Sequence, residues 1–124
     1  GSDKSDVIKS SAGDDEAFGH GGNDLIIGGK GDDFLSAGTG KDSLDGGPGK
    51  DKFELNSDHF GTGLITILDF KPKHDTLWFV KVVPELLSTE GKGIYYDGEK
   101  IAKIKNLSAE EVAFVVENNS TFVG

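Results

Sequence analysis

Six aspartates, Asp6, Asp15, Asp24, Asp33, Asp42 and Asp51, stand nine residues apart without a gap. Each offers a hard anionic oxygen, the kind of ligand that calcium prefers. Two residues before each of them, the first excepted, stands a glycine: Gly13, Gly22, Gly31, Gly40 or Gly49. Glycine accepts positive φ, which lets a short loop turn several main-chain carbonyls toward one point. The chemistry on offer is cation binding by aspartates and loop carbonyls together. Beside the aspartates, the candidate donors are Gly22, Gly29, Gly31, Gly38, Gly40, Gly47 and Gly49.

The elements that position these groups repeat with them. Two residues after each aspartate comes Ile8, Ala17, Ile26, Leu35, Leu44 or Phe53. Residues 28–36 and 46–54 are complete copies of G-G-x-G-x-D-x-U-x, where U is apolar. Residues 37–45 depart only at Ala37, and residues 19–27 carry His20 at the second position. Residues 10–18 lose both leading glycines, and residues 1–9 place Lys4 where the third glycine belongs. A flexible glycine-rich linker would not keep an apolar residue at every ninth position.

This pattern resembles the RTX (hemolysin-type) calcium-binding nonapeptide-repeat family, strongly over residues 10–54 and more weakly over 1–9. The resemblance implies an all-β fold: a parallel β-roll, or two-sheet β-helix, of the kind that ends type I-secreted proteins. Three-residue segments such as Leu25-Ile26-Ile27 then form strands whose middle residue points inward. Two repeats make one turn, so loops i and i+2 stack on the same edge. Six loops form four such pairs, of which Lys4 weakens the first. About three to five calcium ions are expected. Four divalent ions would nearly cancel the formal charge of −9. Without them the stacked aspartates repel one another, and six inward side chains are too few to order the roll. Calcium is therefore expected to drive folding.

The second half changes style. Residues 1–54 hold the repeats, and residues 55–124 are expected to form a β-rich cap continuous with the roll. Residues 64–70 and 75–80 read as strands joined across Lys71-Pro72-Lys73-His74. Ile67-Leu68-Asp69-Phe70, with Asp75 and Leu77, is similar to the I-x-D-F-x-x-x-x-D-x-L segment that follows the last repeat in the family. The resemblance implies that Asp69, 18 residues after Asp51, closes the calcium stack. Asp75 is either a further ligand or a solvated turn residue. Asp97-Gly98 signals a hairpin between 93–96 and 100–104. Ser108-Ala109-Glu110-Glu111 fits a capping box on a short helical turn. Residues 114–116 and 121–123 suggest a last hairpin across Asn118-Asn119.

Composition narrows the function classes. All 13 basic residues are lysine against 22 acidic ones, a balance that repels nucleic acid. Cysteine is absent, so no thiolate site forms, and no apolar run is long enough to span a membrane. No signal peptide opens the chain and no methionine occurs, so it is expected to be a piece of a larger parent protein. His20, His59 and His74 are dispersed, neither HExxH nor GxSxG occurs, and no catalytic site is expected. Two functions fit. The first is a calcium-gated folding module of a secreted bacterial protein, exported by type I machinery and folded outside the cell. The second is a calcium-dependent module for a polysaccharide or cell surface. It would use the outward apolar residues Val7, Phe18, Leu25, Ile27 and Phe34. The outward residues of the last two repeats, Ser43, Asp45, Lys52 and Glu54, are polar. The absence of a basic stripe disfavours an anionic glycan such as alginate.

Overall fold

The structure, a computed structural model, describes residues 5–123. Strands β1 (Val7–Lys9), β2 (Glu16–Phe18), β3 (Leu25–Ile27) and β4 (Phe34–Ser36) have three residues each, so the middle one alone faces the interior. β5 (Asp42–Asp45) and β6 (Lys52–Asn56) continue the series. Odd strands pair in parallel in one sheet, aligning Ile8, Ile26 and Leu44. Even strands pair in parallel in the other, aligning Ala17, Leu35 and Phe53. All of these are buried except Ile8, which packs against the core from its edge. Lys4 lies outside the described residues.

The winding does not stop at the last complete repeat. β7 (Ile65–Asp69) lies parallel on β5, and β8 (Thr76–Val80) lies parallel on β6. The turn 71–74 therefore joins two sheets. β6 and β8 pair over five residues, which sets Phe53 beside Leu77 and Leu55 beside Phe79. These strands face inward twice, so the core thickens toward this end. Phe53, Leu55, Ile67, Phe70, Leu77 and Phe79 are fully buried, and the Phe53 and Phe70 rings lie 5.8 Å apart.

Beyond this coil, β9 (Leu87–Glu90), β10 (Gly93–Tyr96) and β11 (Glu99–Ile104) form an antiparallel meander. Asp97 and Gly98 take φ of 50° and 82°, as a type I′ turn requires. β11 adds in parallel to the open edge of β7. Helix α1 (Ala109–Asn118) follows, and β12 (Ser120–Val123) adds in parallel to the open edge of β8. Both sheets are thus extended at this end, and β9 and β12 replace β7 and β8 as their edge strands.

The expected last hairpin is corrected here: residues 114–116 belong to α1, and 120–123 pair with β8. The Ser108–Glu111 capping box is complete, and Val112 and Val115, three apart, are fully buried on one helix face while Phe114 points outward. That spacing is helical, and it outweighs the β-branched character of the segment. Among the described residues, no helix is long and apolar enough to cross a membrane.

Candidate metal sites

The six-residue loops fall into two columns. One holds residues 10–15, 28–33 and 46–51, followed by 70–75; the other holds 19–24 and 37–42, followed by the longer segment 57–64. Close stacking depends on glycine. At Gly49, φ is +108°, and a Cβ would come within 2.2 Å of the Gly31 carbonyl oxygen in the coil before. His20 takes φ of 63° at a second-glycine position, a conformation histidine adopts more readily than branched residues. Gly22, Gly29, Gly31, Gly38, Gly40, Gly47 and Gly49 all have positive φ and stack coil on coil.

The aspartates form a ladder along each column. Asp6 N donates to Asp24 Oδ1 (2.8 Å) and Asp24 N to Asp42 Oδ1 (2.6 Å). In the other column Asp15 N donates to Asp33 Oδ1, and Asp33 N to Asp51 Oδ1, both at 3.0 Å. One oxygen of each acceptor is thus committed to the main chain. The second oxygens of Asp15, Asp24, Asp33, Asp42 and Asp51 are buried and have no hydrogen-bond partner. A buried anionic oxygen without a partner is costly, and a bound cation or a proton would satisfy it.

These oxygens also face room that only glycine leaves open. A Cβ on Gly28 would lie 2.7 Å from Asp33 Oδ2 and 2.9 Å from the Gly46 carbonyl oxygen. On Gly19 it would lie 2.8 Å from Asp24 Oδ2 and 2.5 Å from the Ala37 carbonyl oxygen. Carboxylate and carbonyl oxygens therefore converge as a hard cation such as calcium requires. Among the described residues no three acidic or histidine side chains cluster as a metal centre, and the oxygens that neighbour these carboxylates are main-chain carbonyls.

The electrostatics match. Burial pushes Asp51 up to about 7; hydrogen bonding from the Asp33 amide opposes the shift, and the charges of Asp75 and Asp33 add to it. Burial likewise pushes Asp42 up to about 6, opposed by the Asp24 amide and aided by the Asp24 charge. Asp33 and Asp75 are raised for the same leading reason.

Asp75, and not Asp69, continues the ladder. Asp51 N donates to Asp75 Oδ1 at 3.0 Å, and Lys71 N donates to Asp75 Oδ2 at 2.8 Å, so both oxygens of this buried carboxylate are engaged. Asp69 lies beside Asp45 at the end of β7, half-exposed and ion-paired with Lys71. On the other column Asp42 is followed by Ile65, which carries no carboxylate, and Gly40 N donates to Thr62 Oγ1.

Sequence reasoning missed a second ladder at the fifth loop position. Asp32 N donates to Asp14 Oδ1, Lys50 N to Asp32 Oδ1 and Lys41 N to Asn23 Oδ1, at 2.8–2.9 Å. These side chains reach forward to the next coil, whereas Asp24, Asp33, Asp42 and Asp51 reach back. Asp14 and Asp32 therefore bind coil to coil. The signal was present as an oxygen-bearing side chain at the same repeat position.

On the outer face of the second sheet, Phe34 meets Trp78 edge-on at 6.2 Å, and Lys52 Nζ sits 4.9 Å from the centre of the Trp78 ring. Phe18 extends this row, 6.2 Å from Phe34. Asp14, Asp32 and Lys50 border the groove beside it.

The sequence matches the family model for the RTX calcium-binding nonapeptide repeat (4 copies) over residues 1–35 and 27–59. No curated protein matches it. Several solved structures share its fold, among them one of an epimerase subunit and one of a lipase. One is the solution structure of the AlgE6R3 subunit from the Azotobacter vinelandii mannuronan C5-epimerase, with a TM-score of 0.70 and 24% identity. That match covers 98% of this chain and 80% of the other. The second is the crystal structure of extracellular lipase LipA from Serratia marcescens, with a TM-score of 0.69 and 18% identity. It again covers 98% of this chain but spans only 20% of the lipase.

Proposed function

Because residues 1–59 match the family model for the RTX calcium-binding nonapeptide repeat, we propose that the chain is a calcium-gated folding module of a larger secreted bacterial protein. The observation that carries this reading is the set of five buried Asp oxygens without a donor, spread over both columns. Asp15, Asp24, Asp33, Asp42 and Asp51 are the proposed carboxylate ligands, with Asp6 at the outer end. The carbonyls of Gly22, Gly29, Gly31, Gly38, Gly40, Gly47 and Gly49 complete the sets. About three to five ions would occupy the columns.

Where calcium is scarce, unneutralised carboxylates oppose the stack and the chain stays unfolded, a state compatible with type I export. Where calcium is plentiful, binding stabilises only the folded form and drives the roll together. The net charge of −9 and the absence of cysteine support this order of events. The test is a calcium titration of stripped protein, read by far-UV circular dichroism and Trp78 fluorescence. A cooperative coil-to-β transition, reversed by chelator and not reproduced by magnesium, is expected. Full β structure in chelator at neutral pH would refute it.

A second reading is favoured by the Phe34–Trp78 row with its overlying Lys52: a calcium-dependent surface for an uncharged glycan or a cell-surface polysaccharide. Aromatic faces stack on sugar rings, and the acids bordering the groove disfavour anionic chains. Trp78→Ala would abolish calcium-dependent glycan binding on this reading, while the calcium-driven gain of β structure read by far-UV circular dichroism would remain.

A further inference from the structure

The loop that ends the first column has the same length as those beneath it. Phe70-Lys71-Pro72-Lys73-His74-Asp75 lies above Gly46-Gly47-Pro48-Gly49-Lys50-Asp51, with Asp51 bonded to Asp75. The aspartate is kept and every glycine is replaced. Phe70 stands in the place of the first glycine and buries its ring against Phe53. Lys71 stands in the place of the second.

The Lys71 ammonium turns back into the column. It donates to the carbonyl oxygen of Gly47, its own counterpart one coil below, at 3.2 Å, and to the Asp69 carboxylate. One carboxylate oxygen and one loop carbonyl are the two ligand types the repeats present to a metal. An ammonium is a compact point charge with three donors and takes such oxygens directly. Hydrogen bonding to Asp69 holds the Lys71 ammonium above the ordinary lysine range, with the charges of Asp69, Asp75 and Asp45 adding to the effect. Asp75 itself accepts one amide on each oxygen, so neither is left without a partner as the second oxygens of the lower aspartates are.

We propose that Lys71 is the tethered resident cation of the last interval of this column: its ammonium takes the Gly47 carbonyl that would otherwise face a calcium ion, with Asp69 as its counter-ion. The column would then end by covalent design, with Asp51 facing calcium below and a lysine coil above. Asp69 would be the counter-ion of Lys71 and not a calcium ligand. This inference rests on the calcium reading of the repeats.

The experiment counts ions on the full chain by native mass spectrometry at saturating calcium, for wild type, Lys71→Arg and Lys71→Gly. Wild type and Lys71→Arg should hold the same number. Lys71→Gly, which restores the repeat glycine and frees Asp69, should hold one more. An unchanged, non-zero count in Lys71→Gly would overturn the proposal while leaving the calcium reading intact. A wild-type count of zero would sink that reading itself. Calcium anomalous scattering from wild-type crystals decides the matter even where Lys71→Gly fails to fold. A peak between Gly47 and Asp69 overturns the proposal, and peaks confined to the lower coils support it.

Discussion

Asp51 and Asp75 are neighbours in one carboxylate ladder although 24 residues separate them, joined by the Asp51 amide and Asp75 Oδ1 at 3.0 Å. Every other rung of the ladder spans 18 residues. The six additional residues come from the longer strands β6 and β7 and from the longer segment 57–64 between them. Asp51 is therefore a buried junction between the repeat coils and the first coil without glycines.

Asp51→Asn tests that junction. Asparagine keeps an oxygen for the Asp33 amide but replaces the buried anionic Oδ2 with a neutral amide. The calcium concentration at half-folding should rise by about tenfold or more, since ligand charge sets affinity in such sites. Asp58→Asn is the control, because Asp58 is exposed and paired only with Lys81. It should move the midpoint by less than about twofold. Circular dichroism across a calcium series reads both variants.

Acid should partly replace calcium. The unfolded chain releases carboxylate protons near the ordinary 3.8, whereas the metal-free fold holds that of Asp42 to about 6 and that of Asp51 to about 7. The contribution of these two groups to the stability of the metal-free fold is thus fully present below 3.8 and is lost as pH rises through 6–7. Calcium requires the ionised carboxylates, so its affinity runs the other way and weakens as pH falls below about 7. Stripped protein should show more β structure at pH about 5 than at about 8, while the calcium midpoint moves to higher concentration at the acid pH. Opposite slopes with and without calcium are the signature; parallel slopes would contradict the carboxylate assignment.

The repeats were legible because each position has a separate physical duty, repeated: glycine for the loop, aspartate for the ladder, one apolar residue for the core. The end of the column was harder to read. Counting by 18 leads from Asp51 to Asp69, and only the longer strands and the 57–64 segment reveal that the ladder resumes at Asp75. The β-branched run at Val115-Val116 suggested a strand, although Val112 and Val115 share one buried helix face behind a complete capping box. Lys71 carried no local signal at all. Its role appears only when loop 70–75 is laid over loop 46–51 and the ammonium is found on Gly47.

Glycine at the stacking positions should be irreplaceable for a reason distinct from turn preference. Gly49→Ala combines φ of +108° with a Cβ 2.2 Å from the Gly31 carbonyl oxygen, so the two coils must separate. Gly91→Ala meets φ of +57° but open space. Thermal melts in saturating calcium should show a loss of about 1–2 kcal/mol for Gly91→Ala. Gly49→Ala should lose clearly more and should also weaken calcium binding, because its loop carries the Gly47 and Gly49 carbonyls.

Roll and cap should fold together. Trp78 belongs to β8, beyond the last complete repeat, yet its ring packs on Phe34 and under Lys52, both from repeat strands. β8 is also hydrogen-bonded on one side to β6 and on the other to β12. A change in the repeats must therefore reach the indole through contacts on either side. Trp78 emission and far-UV circular dichroism should share one midpoint in a calcium titration. Phe34→Ala should reduce the Trp78 signal change without separating the two midpoints, because the β6–β8 ladder and the Phe53–Leu77 contacts still couple the halves. Two resolved midpoints in the wild-type chain would mean that residues 55–124 order independently, and the boundary near Asn56 would then divide two folding units.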